Sequence, residues 1–426
     1  MALENSEVKL NYPSWLTLDF FRTILQNDKN FPETSDAVCV DGIHIEPATS
    51  IGDNFMSSCQ VSCIFRVIVK YRFSKDDVKT LSLIVKYMPE LGVVKNFVES
   101  FAFPKEAEMY SKIIPGLEKI WLRVGQSVQF GPKCWYSSND PVPVIVMDDL
   151  KSFDYKMLPR REGLGLKEAE AVISKIAKFH AASLLYYKKN GPYYPNFNER
   201  IPRTNDNEGF GLFYGVMHAG LIEMLEGWDF GKSFLPKLKK WKGKIFDTNC
   251  KLTKAEEKSF NVLNHGDAWT NNAMFKYFNG SPEVLFVDYQ LCIWTSPAID
   301  LLYIIFYACN SDIQITHFDS LIKFYHSELL RALNNLDIPE KAPTLEEVSN
   351  AVYCKGFFGA TTIINSLPLM KFDPNLNINM EFILNPENEE GLTMRKALFA
   401  SENLKNAYKL LLPFLDKRGF LDIPNV

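Results

Sequence analysis

The sequence predicts an α+β fold in which a small lobe rich in β-strands precedes a larger, mostly helical lobe. The chain has 426 residues, and single cores stop growing at roughly 250–300 residues, so two lobes are expected. Between about residues 50 and 90, apolar residues alternate in CQVSCIFRVIVKYRF and TLSLIVKYMP, which flank the polar SKDDVK and indicate a hairpin. After residue 165, LKEAEAVISKIAKFHAASLLYYKK has the apolar spacing of a long amphipathic helix.

Three parts follow from this pattern. Residues 1–48 are predicted to form an N-terminal extension with one helix in SWLTLDFFRTILQN, which Ser14 could cap. Residues 49–149 are predicted to form the N-lobe, where one main helix in FPKEAEMYSKIIPGL and a short buried strand in VPVIVMDDL follow the hairpin. Residues 150–426 are predicted to form the C-lobe, where helices enclose a strand-and-loop pair, VLNHGDAWTNNAMFKY and VLFVDYQ.

Composition and charge argue against several classes of protein. With 46% hydrophobic and 23% charged residues, the chain is typical of a folded globular protein. The formal net charge of −4 gives no indication of a nucleic-acid partner or an anionic membrane surface. The most apolar segment, SPAIDLLYIIFYACN, is short and carries Asp300, so no membrane span is expected.

The cysteines and the N-terminal residues indicate the compartment. Eight cysteines are scattered along the chain without a CxxC pair, which favours buried thiols over disulfides or a metal site. The start, MALENSEVKLNYPSW, lacks the apolar segment of a signal peptide. A cytoplasmic location is therefore predicted, whereas the oligomeric state is left open.

Three polar residues in two neighbouring segments fit the requirements of phosphoryl transfer. Asp267 and Asn272 lie five positions apart in NHGDAWTNNAMF, and Asp288 ends the apolar VLFVD. Phosphoryl transfer needs an acid that orients the attacking hydroxyl group and oxygen ligands for Mg²⁺. Mg²⁺ takes one or two protein carboxylate or carbonyl oxygens together with nucleotide oxygens and water. Asp267, Asn272 and Asp288 together provide the acid and the oxygen ligands that this reaction needs.

These segments resemble the H-G-D-x-x-x-x-N loop of aminoglycoside phosphotransferases and choline kinases, which are relatives of protein kinases. The fuller pattern of HGDAWTNNAMF, VDYQ and AKFHAAS is similar to the insect ecdysteroid kinase-like family. The resemblance extends from about residue 45 to 415. It implies a protein-kinase-like fold of two lobes and a phosphotransferase that uses ATP and Mg²⁺.

The resemblance also implies roles for the residues of this loop. Asp267 is expected to be the catalytic acid/base that receives or orients the substrate hydroxyl group. Asn272 and Asp288 are expected to hold Mg²⁺. His265 is expected to brace the loop by hydrogen bonding, and Asp300 to fix it from the following helix. A single Asp or Asn in a loop is usually a turn former or a cap, but the order and spacing here argue against that interpretation.

The N-lobe is expected to supply the nucleotide phosphates with a cation. Lys86, late in the apolar LSLIVKYMP, matches the strand lysine of the family, which pairs with a helix glutamate. Lys70, on the preceding strand, is the alternative. For the glutamate, Glu106 fits the F-x-x-E-x-x-x-Y spacing of the family, and Glu108, on another helix face, is the alternative.

Two further segments are expected to contact the nucleotide. GDNFMSSC resembles the phosphate-covering loop of the family, with Ser57 as its hydroxyl group, although an ordinary hairpin turn fits these residues equally well. The hinge is expected at Met147, Asp148, Asp149 and Leu150, whose backbone would bond the adenine.

The sequence leaves the roles of three residues on or near the loop open. His180, in KFHAAS, is interpreted as a core histidine near the catalytic loop, with a catalytic role as the alternative. Trp269 and Asn271 are shared with the family, but the sequence provides no physical account of them.

The acceptor pocket is expected in the C-lobe. Aromatic stretches with small residues between them, FGLFYGVMHAG, IIFYACN and CKGFFGATTI, suit a flat and mostly apolar alcohol. Choline would require an aromatic cage with acids, and aminoglycosides an acidic patch that the sequence lacks. The resemblance implies a steroid hydroxyl group as in ecdysteroids. Plant or xenobiotic alcohols, and a pseudokinase without turnover, are the alternatives; the presence of Lys86, Asp267, Asn272 and Asp288 argues against the last.

Overall fold

The computed structural model describes residues 12–27, 38–48, 63–73, 77–88, 101–140, 142–193, 195–201, 208–338, 342–372, 376, 378–385 and 387–425. Within these ranges the chain forms a small lobe with an antiparallel sheet and a larger helical lobe, which confirms the predicted α+β class. None of the described helices is both long and apolar enough to cross a membrane. The seven cysteines in these ranges are all free thiols.

The N-lobe is built on a five-stranded antiparallel sheet with the strand order β1-β2-β3-β5-β4. Its strands are β1 Cys39–Pro47, β2 Cys63–Arg72, β3 Val78–Tyr87, β4 Cys134–Ser138 and β5 Val144–Asp148. The predicted hairpin is β2 and β3, which pair from Cys63 opposite Tyr87 to Arg72 opposite Val78. Lys86 therefore lies near the end of a central strand, opposite Ile145 of β5.

The N-terminal extension differs from the prediction in two respects. Residues 39–47 were assigned to the extension and no strand was predicted there, but they form β1, which pairs with β2 and forms the edge of the sheet. Its sequence, CVDGIHIEP, contains Gly, Pro and acids, which edge strands tolerate and which weaken the strand pattern. The predicted helix is α1, Leu18–Gln26, but its cap is Thr17, which accepts a 3.2 Å hydrogen bond from the amide of Phe20, and not Ser14.

The main helix of the N-lobe runs through a π-helical turn. Its parts are α2 Phe103–Glu108, the π turn Met109–Ile113 and α3 Ile114–Arg123. Such turns are rare, and those that occur are often found at functional sites. Here the turn carries Tyr110, whose buried hydroxyl group accepts a 3.1 Å hydrogen bond from the amide of Asp288. The helix is thus attached to the C-lobe at a predicted metal ligand.

The C-lobe has a helical core in which the described part of the chain buries most of its apolar residues. Its helices are α4 Leu166–Asn190, α5 Glu208–Glu226, α6 Leu235–Leu238, α7 Ile245–Leu252, α8 Ala298–Tyr303, α9 Ser311–Thr316, α10 Phe318–Asn335, α11 Leu345–Cys354, α12 Gly356–Lys371, α13 Met380–Leu384, α14 Glu389–Phe399 and α15 Glu402–Lys417. A second π turn, Ile304–Ala308, continues α8. The long helix predicted after residue 165 is α4, which packs along α10.

Short strands bring the two polar segments of the C-lobe together. They are β6 Lys156–Met157, β7 Val262–Asn264, β8 Ala273–Phe278, β9 Ser281–Phe286 and β10 Ile293–Thr295. The loop of residues 265–272 connects β7 to β8, and β10 pairs with β7, placing Ile293 opposite Asn264. Gly266 has a φ of +77°, and a Cβ atom there would lie 2.1 Å from the carbonyl oxygen of Leu291. Only glycine allows this close approach.

Candidate active site

A buried lysine of the N-lobe contacts one carboxylate of its own lobe and one of the C-lobe. The Nζ atom of Lys86 lies 2.7 Å from Oε2 of Glu106 on α2 and 2.8 Å from Oδ1 of Asp288, which follows β9. The side chains of Lys86 and Glu106 are 7% and 1% exposed, whereas that of Asp288 is 26% exposed. Asp288 has a left-handed backbone with a φ of 66°, which is uncommon outside glycine. The structure thus brings three of the predicted site residues together.

Electrostatics keep this lysine charged. Burial alone would lower the pKa of Lys86, but the carboxylates of Asp288 and Glu106 outweigh it and hold that pKa above its ordinary value. Burial also raises the pKa of Glu106, and the ammonium group of Lys86 opposes that rise. The two alternative residues lie elsewhere: Glu108 pairs with Lys112 at 3.3 Å, and Lys70 is exposed on β2.

The carboxylate of Asp267 is held from two sides. Its Oδ1 atom accepts a 2.6 Å hydrogen bond from the hydroxyl group of Tyr303, and its Oδ2 atom accepts one of 2.8 Å from Nδ2 of Asn272. The Nη2 atom of Arg200 lies 3.8 Å from Oδ1. Burial raises the pKa of Asp267 to about 7, against the opposing effect of the Arg200 cation. This carboxylate is therefore fixed in position and more basic than an exposed one.

Asp300 fixes the loop that carries Asp267. Its two carboxylate oxygens accept hydrogen bonds from the amides of His265 and Gly266, at 2.7 and 2.8 Å. The Nδ1 atom of His265 accepts a 3.3 Å bond from the amide of Asp267, so its Nε2 atom carries the hydrogen and donates to the carbonyl oxygen of Val287 at 3.2 Å. Burial lowers the pKa of His265, which favours this neutral ring. His265 therefore makes hydrogen bonds within the loop and to Val287, as expected of a residue that holds the loop in place.

His180 reaches the loop through Asp300. In α4 it is fully buried, with Nε2 lying 3.1 Å from Oδ2 of Asp300 and Nδ1 lying 2.8 Å from the hydroxyl group of Tyr325. Both ring nitrogens are thus used within the core. This geometry agrees with a structural histidine and gives no support to the catalytic alternative.

Asn272 and Asp288 offer the chemistry that Mg²⁺ requires. The Nδ2 atom of Asn272 donates to the carboxylate and to the carbonyl oxygen of Asp267, so its amide oxygen occupies the other branch of the side chain. Asp288 adds a partly exposed carboxylate. The described residues contain no group of three or more His, Cys, Asp or Glu side chains arranged for a metal ion. The residues present therefore fit a hard cation that takes its remaining ligands from nucleotide and water.

Two residues at Asp267 were not predicted. The Nε atom of Arg200 donates a 2.7 Å hydrogen bond to the carbonyl oxygen of Gly266, and its Nη2 atom one of 3.3 Å to the Tyr303 hydroxyl group. Tyr303 lies three residues after Asp300 in α8, and residues with that spacing share a helix face. Tyr303 could therefore have been found from Asp300, whereas Arg200 lies in a segment without a recognisable pattern.

Of the two loop residues without an assigned role, Trp269 now has described contacts. Its ring packs 5.4 Å from that of Tyr307, and its amide donates to the carbonyl oxygen of Asp267 at 2.9 Å. Trp269 therefore connects the loop to the π turn that follows α8. The structure gives no account of Asn271.

The acidic side chains of the predicted hinge accept hydrogen bonds from other side chains of the N-lobe. The carboxylate of Asp149 accepts hydrogen bonds from Nε of Arg66 at 2.6 Å and from Oγ of Ser82 at 2.8 Å. That of Asp148 accepts one of 2.6 Å from the indole of Trp135. The amides of both residues donate to carbonyl oxygens within the lobe. The amides of Asp148 and Asp149 are therefore already hydrogen-bonded within the protein.

The last predicted site residues are Met147 and Leu150 of the hinge and Ser57 of the predicted phosphate-covering loop. Met147 and Leu150 are buried, Met147 at the edge of the large core and Leu150 against β8 and β9. Ser57 lies outside the described residues.

Comparison with known proteins identifies one matching family and several similar solved structures. The ecdysteroid kinase-like family matches residues 51–338. The solved structures that the chain resembles include a Plasmodium vivax ethanolamine kinase, with a TM-score of 0.37, 11% identity and coverage of 94% of this chain and 93% of that one. A microcompartment-associated aminopropanol kinase matches with a TM-score of 0.37, 11% identity and coverage of 95% and 99%. The comparison with curated proteins finds no match. Because the family match spans more than half of its length, the chain belongs to the ecdysteroid kinase-like family of small-molecule kinases.

Proposed function

We propose that this protein transfers the γ-phosphoryl group of ATP to a hydroxyl group of a lipophilic alcohol, with Mg²⁺ as the metal ion, and that the acceptor is an ecdysteroid or a similar steroid. The observation that carries the proposal is the pair of linked contacts around the loop. Asn272 lies 2.8 Å from the partly buried Asp267, and Lys86 lies 2.8 Å from Asp288. A base, two oxygen ligands and a fixed cation are the parts that phosphoryl transfer needs.

Asp267 has the role of general base in this proposal. Its carboxylate accepts the proton of the acceptor hydroxyl group while the hydroxyl oxygen attacks the γ-phosphorus and the bond from phosphorus to the ADP oxygen breaks. Tyr303 and Asn272 hold the carboxylate in place. Because burial raises the pKa of Asp267 to about 7, it is a stronger base than an ordinary carboxylate.

Lys86 and the oxygen ligands act on the nucleotide. Asn272 and Asp288 would hold Mg²⁺, which when bound neutralises charge on the β- and γ-phosphate oxygens. Lys86 would bind the α- and β-phosphates with its ammonium group, and Glu106 keeps the lysine in position from α2. The 2.7 Å pair between Lys86 and Glu106 supports this role because it fixes a flexible side chain.

The surroundings of Asp267 support a mostly apolar acceptor. The rings of Tyr303 and Tyr307 lie 4.9 Å apart, and Tyr307 also packs on Trp269. Tyr214 and Phe358, from two of the predicted aromatic stretches, are buried near Arg200. Aromatic walls with a few hydroxyl groups suit a ring system that carries hydroxyl substituents. The family description favours a steroid among such alcohols.

The test is phosphoryl transfer by the purified full chain. Labelled ATP and Mg²⁺ are incubated with a panel of ecdysteroids, other sterols, and plant and xenobiotic alcohols, and products are identified by mass spectrometry. Asp267→Asn, which keeps the size of the side chain, is the matched control. We expect label on at least one neutral alcohol, and transfer slower by about 100-fold or more with the control. Absence of transfer to every alcohol, together with absence of Mg²⁺–ATP binding by calorimetry, would contradict the proposal.

A further inference from the structure

A permanent cation is buried beside the proposed base. The guanidinium group of Arg200 lies 3.8 Å from Oδ1 of Asp267, and the Arg200 side chain is 9% exposed. It is held by the carbonyl oxygen of Gly266 and the hydroxyl group of Tyr303. A guanidinium group does not lose its proton in proteins. Arg200 and the ionised Asp267 therefore form a pair with no net charge.

The same guanidinium group occupies the cation position of an aromatic cluster. Its central carbon lies 5.1 Å from the ring centroid of Tyr303 and 5.9 Å from that of Phe358. Tyr307 packs against Tyr303, with their ring centroids 4.9 Å apart. Cations within about 6 Å of a ring centroid are attracted to its face, and aromatic cages bind ammonium ligands in this way. In this cluster the protein itself supplies the cation.

We infer that Arg200 determines specificity by filling this aromatic cluster with a built-in positive charge, so that the acceptor site excludes ammonium-bearing alcohols and takes alcohols without a positive charge. The inference rests on the proposed function. An acceptor hydroxyl group must lie within about 3 Å of Asp267, which brings a nearby ammonium group close to the guanidinium group. At roughly 6 Å and an effective dielectric constant of about 20, the guanidinium charge weakens the binding of an ammonium group by about 100-fold relative to a site that keeps Asp267 but lacks Arg200.

A purely structural role for Arg200 makes a different prediction. If the side chain only held Gly266 and Tyr303, its removal would lower activity toward neutral and ammonium alcohols by the same factor. If Arg200 excludes ammonium groups, its removal changes the ratio of activity toward ammonium alcohols to activity toward neutral alcohols. This exclusion also predicts competition, because an added cation would enter the vacated position in place of an ammonium group.

The experiment compares wild type with Arg200→Gln on two sets of acceptors. The first set is the neutral alcohols that the wild type phosphorylates, and the second is choline and ethanolamine. Arg418→Ala is the matched control, since Arg418 stacks on the rings of Phe414 and Phe318 at 3.9 and 5.1 Å, away from the loop. We expect the ratio of kcat/KM for ammonium over neutral alcohols to rise at least 30-fold in Arg200→Gln and to stay unchanged in the control.

Guanidinium ion supplies a second measurement on the same variant. At millimolar concentration it is expected to raise the activity of Arg200→Gln toward neutral alcohols and to lower its activity toward choline. An unchanged acceptor ratio in Arg200→Gln, or a wild type that phosphorylates choline as well as neutral alcohols, would overturn the inference while leaving the kinase function intact.

A binding measurement tests the inference even if the protein shows no kinase activity. If the wild type phosphorylates no alcohol of either set, the binding of tetramethylammonium chloride is measured by calorimetry. The inference predicts binding to Arg200→Gln that is at least 30-fold tighter than binding to the wild type. Equal affinity, or no binding to either protein, would overturn it.

Discussion

The hydroxyl group of Tyr303 donates a 2.6 Å hydrogen bond to the carboxylate of Asp267, from the helix that also carries Asp300. One helix thus positions the loop through Asp300 and the carboxylate of Asp267 through Tyr303. In this arrangement the orientation of the proposed base depends on a residue outside the HGD motif.

Tyr303→Phe tests this dependence. The change removes one hydrogen bond to the carboxylate and keeps the ring, so we expect kcat to fall by about 10-fold while the KM for ATP stays within two-fold. Steady-state kinetics with a neutral acceptor measure both constants. Tyr307→Phe is the control, because the hydroxyl group of Tyr307 bonds Ser366 and not Asp267. Equal losses in the two variants would show that the contact with Asp267 has no special role.

Asp267→Asn separates catalysis from nucleotide binding. The amide keeps the shape of the side chain but cannot accept the hydroxyl proton, so kcat is expected to fall by about 10²–10⁴-fold. Because the proposed role of Asp267 is toward the acceptor, the Kd for Mg²⁺–ATP, measured by calorimetry, is expected to change less than three-fold. Full turnover in this variant would mean that another group is the base.

Asp288→Asn is expected to give the complementary result. The change removes a carboxylate from the predicted metal site and also one of the two partners of Lys86. We expect the affinity for ATP to fall by about 10-fold or more in the presence of Mg²⁺ and to change little without it. Titrations with ATP at several Mg²⁺ concentrations measure the difference. If the affinity for ATP fell equally without Mg²⁺, the effect of Asp288 would come from its contact with Lys86 and not from metal binding.

The pair of Lys86 and Glu106 is expected to matter for both stability and nucleotide binding. Glu106→Gln removes a buried charge partner at 2.7 Å, and loss of one partner of a buried pair typically costs about 3–5 kcal/mol. Glu108→Gln, whose partner Lys112 is exposed, is expected to cost less than about 1 kcal/mol. Urea unfolding measures the two free energies, and the KM for ATP is expected to rise only in Glu106→Gln. Similar effects in both variants would contradict the assignment of Glu106.

The sequence predicts those elements whose pattern is local. The β2–β3 hairpin and helix α4 have strong apolar periodicity, and the structure has both. Strand β1 was missed because an edge strand with Gly and Pro lacks such periodicity, and its place is set by pairing with β2. At the site, the motif places Asp267 on its loop, but Arg200 arrives there by tertiary contact alone, 66 residues from its partner Gly266. A single sequence carries no sign of that contact.

Lys105, next to Glu106, has an unusual environment that leads to a prediction about pH. Its ammonium group is fully buried, and it donates to the carbonyl oxygens of Glu199 at 3.0 Å and Cys292 at 2.9 Å. It also lies 3.9 Å from the ring centroid of Phe101. The hydrogen-bond partners are neutral, and burial lowers the pKa of Lys105 to about 7. The folded protein is therefore penalised for keeping this group charged.

The sign of the effect follows from proton binding. Between pH 7 and about 10.5, the unfolded chain keeps a proton on Lys105 that the folded chain has released. The free energy of unfolding therefore rises with pH across this window, by at most about 1.4 kcal/mol per pH unit from this group. Below pH 7 the group is charged in both states, and its contribution no longer changes with pH.

Lys105→Met removes this titration while keeping the length of the side chain. We expect the free energy of unfolding in urea to rise between pH 7.5 and 9.5 by about 1–2.5 kcal/mol more in wild type than in the variant. Lys119→Met, at an exposed position of α3, is the control and is expected to keep the wild-type rise. If Lys105→Met showed the same rise as wild type, Lys105 would have to be charged throughout this window, held by its two carbonyl partners and the ring of Phe101. In that case its ammonium group would be a permanent link between the lobes, since Glu199 and Cys292 flank the segments that carry Arg200 and Asp288.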